Sequence, residues 1–70
     1  MRRYSEMKAR EILICDGYIV LMKSSGALRL YNAQNKELGY IPFKVFNHLL
    51  LVGFIVPLFE EPDKIVYIYR

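Results

Sequence analysis

Seventy residues with a net charge of +3, a hydrophobic share of 54% and one cysteine bound a single small domain, expected to span 1–70. Cys15 alone excludes an intrachain disulfide and supplies no pair for a zinc site, so stability must come from packing or from a partner. The longest uncharged run, between Lys44 and Glu60, is interrupted by Asn47, His48, Gly53 and Pro57 and is shorter than the roughly 20 apolar residues of a spanning helix.

In chain order, Arg2 and Arg3 are followed by no apolar signal core, which points to a soluble, cytoplasmic protein. Ser5 is suited to cap a helix over 5–15, in which Glu6 and Arg10 stand one turn apart and Ala9, Ile12 and Leu13 share a face. Asp16-Gly17 supplies the stop. Cys15 follows an apolar run and reads as a small buried hydrophobe in a reducing compartment.

Tyr18 to Lys23 is rich in β-formers, and Ser24-Ser25-Gly26 signals a turn. Leu28 and Leu30 alternate with Arg29 and Tyr31, Asn32 to Lys36 is a polar turn, and Leu38 to Ile41 is extended. These segments predict a meander of three short strands. A second helix opens at Pro42, which costs little in a first turn, and closes at Gly53. Two strands follow, Phe54 to Phe59 and Ile65 to Tyr69, around the Pro62-Asp63 turn. Pro57 cannot donate to a ladder, so it belongs at an edge or a bulge. The order is α-β-β-β-α-β-β with antiparallel strands, an α+β domain. Phe46, Leu49, Leu50, Ile55, Val66 and Ile68 are its expected core.

The run Leu49-Leu50-Leu51-Val52-Gly53-Phe54-Ile55, followed by the hairpin, resembles the junction of recognition helix and wing in winged-helix domains. The resemblance implies a small winged-helix-like domain of the kind common in bacterial and phage regulators. It also implies a base-reading face of Lys44, Asn47 and His48, with Asp63 and Lys64 at the wing tip. Residues 24–40 read as strand–turn–strand where that family has a further helix.

Charge argues against strong DNA binding. Glu60, Glu61 and Asp63 make the wing acidic, and the 42–52 helix offers one lysine, whereas strong binders neutralise about six to ten phosphates. Phosphate contacts would fall to Arg2, Arg3, Lys8 and Arg10. The six tyrosines form the second constellation. Tyr31, Tyr67 and Tyr69 are the expected interface residues, because tyrosine is enriched where proteins associate.

With no carboxylate pair, phosphate loop or metal-ligand cluster, no catalytic residue, metal or cofactor is expected, and no small-molecule substrate is evident. Two functions survive. One is a non-enzymatic regulatory or interaction module that associates through its sheet as a homodimer or with another protein. The alternative is a DNA-binding regulator that uses the 42–52 helix and the basic N-terminus.

Overall fold

The computed structural model describes residues 2–70. Its elements follow the expected order: α1 (Glu6–Ile14), β1 (Tyr18–Met22), β2 (Leu28–Tyr31), β3 (Glu37–Tyr40), α2 (Phe43–Leu51), β4 (Ile55–Glu60) and β5 (Lys64–Tyr69). All five strands join one antiparallel sheet in the order β3-β2-β1-β5-β4. The protein is therefore an α+β domain with the strand β5, last in sequence, inside the sheet between β1 and β4.

Local chemistry sets the boundaries. Ser5 caps α1, its Oγ accepting from the Lys8 N–H at 3.3 Å, and the Arg10 Nε donates to Glu6 Oε2 at 3.1 Å. The left-handed residue that ends α1 is Asp16, at φ 68°, rather than Gly17. Gly17 is required for space: a Cβ there would stand 2.6 Å from Ile12 Cγ2 and 2.7 Å from the Tyr31 carbonyl oxygen. Pro42 sits one place earlier than expected, as the N-cap of α2, with no side-chain cap; Ile41 anchors that end by donating its N–H to the Leu28 carbonyl at 2.9 Å. Gly53 closes α2 at φ 73°, the conformation that favours glycine.

Each sheet edge is blunted. On β4 the register shifts between Pro57 and Phe59, the bulge expected of a proline that cannot donate. On β3 the N-terminal segment lies alongside in parallel: Tyr4 N–H donates to the Tyr40 carbonyl at 2.9 Å, and Tyr40 N–H to the Arg2 carbonyl at 2.8 Å.

The helices cover one face of the sheet. Ala9 and Leu13 of α1 and Phe46 and Leu49 of α2 pack against Ile19, Leu30, Ile55 and Tyr67 in one continuous core. Phe46 meets the Tyr67 ring edge-on, centroids 4.9 Å apart. Of the expected core, Phe46, Leu49, Ile55 and Val66 are buried, whereas Leu50 and Ile68 are only partly so. Val66 and Ile68 belong to the other face, because β5 is apolar on both sides and alternation alone does not say which side meets the helices. Cys15 is exposed, contrary to expectation, since α1 ends at Ile14 and the chain has already turned outward.

Candidate functional site

The second face of the sheet carries no helix. An antiparallel sheet with one solvated face usually alternates apolar-in and polar-out. Here the strand register places Val20 opposite Val66, Val66 opposite Phe59 and Val56 opposite Ile68, so the middle of the open face is aliphatic and aromatic. Val20 and Val66 lie on this face yet are only 7% and 6% exposed. The rim remains accessible, with Leu58 56% and Phe59 47% exposed. Together they shape an open groove of about 640 Å³ whose floor is Val20, Val66 and Ile68 and whose walls include Phe59 and Tyr31.

Polar groups border the groove on both sides. Toward β2 and β3, Tyr18 and Tyr31 are cross-strand partners with rings stacked 5.0 Å apart and 2° from parallel. The Tyr18 hydroxyl donates to Asn35 Oδ1 at 3.0 Å and the Tyr31 hydroxyl to Glu37 Oε1 at 3.4 Å. Arg29 Nη1 lies 3.5 Å from Glu37 Oε1, and its guanidinium carbon lies 5.9 Å from the Tyr40 ring centroid. The Glu37 carboxylate, and after it Tyr40, raises the Arg29 pKa above its ordinary value, so this residue stays cationic. Toward β4, Asp63 and Lys64 line the groove, Lys64 lying 3.5 Å from Glu61, while Glu60, opposite Ile65 on the helix-covered side, pairs with Lys23.

The expected interface tyrosines do not come together. Tyr31 borders the groove, but Tyr67 is buried in the helix-side core at 9% exposure, and Tyr69 lies on the helix side with its ring 4.7 Å from Phe54. Tyr67 and Tyr69 share a face, as strand alternation requires. That face is the one the helices cover.

The expected DNA-binding residues also divide. Arg10 stacks 4.4 Å over the Phe54 ring and pairs with Glu6, and Lys8 lies 3.6 Å from Glu11. His48 points its Nε2 at Glu6 Oε2, 3.5 Å away. Lys44 and Asn47 are exposed on α2, bracketed along the helix by Phe43, 69% exposed, and Leu51, 77% exposed. Arg2 and Arg3 are exposed on the N-terminal strand beside Tyr40, two residues before the N-cap of α2. Among the described residues, Arg2, Arg3 and Lys44 are the basic members of the expected set without a carboxylate partner.

Among the described residues no group of three or more His, Cys, Asp or Glu stands close enough to hold a metal ion, and no helix is long and apolar enough to cross a membrane. Compared with protein-family models, curated proteins and solved structures, the chain shows no match to any of the three.

Proposed function

We propose that this protein is a small non-enzymatic interaction module that binds another protein surface through the open face of its sheet. The observation that supports this is the exposed apolar rim of that face, Leu58 and Phe59, beside the partly buried Ile68. A one-sided sheet would place polar residues at Leu58 and Phe59 if water were their permanent neighbour. Burying this strip against a partner recovers about 25 cal/mol for each Å² of apolar surface removed from water. The stacked tyrosines and the charged rim then add orientation and selectivity to that affinity.

A photo-crosslinking residue at position 59 tests the reading against the same residue at Glu11, an exposed position on the helical side. Protein adducts are expected at 59 and not at 11, and they should disappear when Ile68→Lys places a charge on the groove floor. Equal adducts at both positions, or none at 59, would sink the proposal.

One arrangement favours the DNA-binding alternative: the N-terminal strand carries Arg2 and Arg3 to the end of the molecule from which α2 and Lys44 start. Three free cations limit that reading. Each neutralised phosphate adds about −0.9 to the slope of log K against log salt, so duplex affinity carried by these three should follow a slope of roughly −3. Arg2→Glu with Arg3→Glu should flatten it to about −1. A salt-independent affinity, or none at low salt, removes the alternative.

A further inference from the structure

We infer that the occupant of the open sheet face is a second copy of this chain, related by a two-fold axis that runs along the central strands between the two sheets. The inference rests on the interaction-module reading and names its partner.

Area is the first argument. The molecule measures 29 × 26 × 24 Å, so one of its faces presents on the order of 600–750 Å², close to the roughly 800 Å² that each partner contributes to a standard stable interface. A sheet face of this size is consumed whole by a second sheet stacked about 10 Å away, the spacing at which inner side chains interdigitate. The groove between Phe59 and the Tyr18–Tyr31 stack is a place for the partner's ridge rather than an enclosed pocket.

Charge complementarity fixes the axis. The pairings Met22 with Lys64, Ile65 with Glu60, Leu21 with Leu28 and Arg29 with Tyr40 place one end of every strand at the same level. At that level the β4 side carries the hairpin Asp63 and Glu61, with Lys64 beside Glu61, while the β3 side carries Arg29, partnered by Glu37, and, through the Arg3–Tyr40 bridge, Arg2 and Arg3, which have no carboxylate partner. Rotation about an axis along the strands keeps this end of the sheet at the same level and exchanges its sides. The acidic side of each copy then meets the basic side of the other. An in-plane axis across the strands would instead keep the sides and exchange the ends, setting the acidic hairpin of each copy against Val56, Ile68 and the single Arg70 of the other. The first axis offers each hairpin two arginines without a carboxylate partner, Arg2 and Arg3, and is the more self-complementary of the two.

The same geometry accounts for the blunted β4 edge. With Pro57 and its bulge on that edge, two copies cannot simply extend one sheet into the next, so association is directed to the face.

Sedimentation equilibrium from 1 to 500 µM, with native mass spectrometry of mixed chains, tests the inference. Wild type is expected to be a dimer, and Phe59→Arg a monomer with an unchanged circular-dichroism spectrum. Leu58→Arg serves as the second variant should the first unfold, since Leu58 is more exposed still. Chains with Glu61→Arg and Asp63→Arg, or with Arg2→Glu and Arg3→Glu, should each dimerise at least tenfold more weakly. An equimolar mixture of the two should form the heterodimer preferentially, because both contacts are then restored. A dimer that survives both Phe59→Arg and Leu58→Arg in folded protein overturns the inference. So does a mixture with no preference for the heterodimer. Wild type that stays monomeric while position 59 still crosslinks a different protein overturns the second copy and leaves the interaction-module reading standing. A monomer with no adduct at 59 ends both.

Discussion

Gly17 is the residue where α1 hands the chain to the sheet, and its hydrogen atom occupies a gap that no side chain fits. A Cβ would press on Ile12 Cγ2 and on the backbone oxygens of Ile12 and Tyr31 together, and two of these three cannot rotate away. Gly17→Ala is therefore expected to cost about 1–3 kcal/mol, the usual penalty of forced overpacking, read as a lower urea midpoint at unchanged slope. Phe46→Ala removes a nearly buried ring from the helix–sheet junction and the edge-on partner of Tyr67. Its expected cost is roughly 3–5 kcal/mol, and a variant that melts like wild type would contradict the packing described. The two residues differ in how well the sequence announced them. Phe46 and Leu49 declare themselves through helical spacing, whereas Gly17 reads only as a stop signal. Its reason is a steric contact with Tyr31, fourteen positions away, that no local pattern records.

Among the elements, β4 is the one whose sequence and position agree most closely. Pro57 reads as an edge or bulge residue, and the strand is both edge and bulged. Pro57→Thr restores a β-branched residue and an N–H on an exposed edge, which invites strand pairing between molecules. The expected outcome is faster aggregation at high concentration with little loss of monomer stability. Light scattering against time measures it, and a variant as quiescent as wild type would show that the bulge alone guards the edge. The strand β5 shows where sequence reading runs out. Ile65, Val66, Tyr67 and Ile68 are apolar at every position, so both faces look like core faces. Which pair meets the helices is decided by pairing with β1, a contact across more than forty residues. That single ambiguity misplaced Tyr67 as an interface residue and Ile68 as a core residue. It also hid the groove, because Val20 and Met22 in β1 look the same as Ile19 and Leu21 until the register is known.

For the molecule as a whole, element order and strand direction were legible from turn signals and periodicity, but the sheet order and the identity of the uncovered face were not. The winged-helix resemblance rested on a helix leading into a hairpin, and both elements are present. The helix face it would offer to DNA, however, has Phe43 and Leu51 exposed around Lys44 and Asn47. If the sheet face closes on a second copy, folding and association are linked by mass action. The melting temperature of wild type should then rise with protein concentration, by several degrees between about 5 and 500 µM, while that of Phe59→Arg should not change. Calorimetry at the two concentrations decides it, and a concentration-independent wild type would speak against dimerisation. The interior position of β5 also carries a consequence for how the protein comes into being. Until residues 64–69 have left the ribosome, β4 has no neighbour, β1 lacks a partner on one side, and Phe46 lacks the Tyr67 ring it packs against. The nascent chain must therefore hold two apolar hairpin halves apart in a crowded cell, and early termination before β5 would release a fragment suited to degradation rather than to partial function.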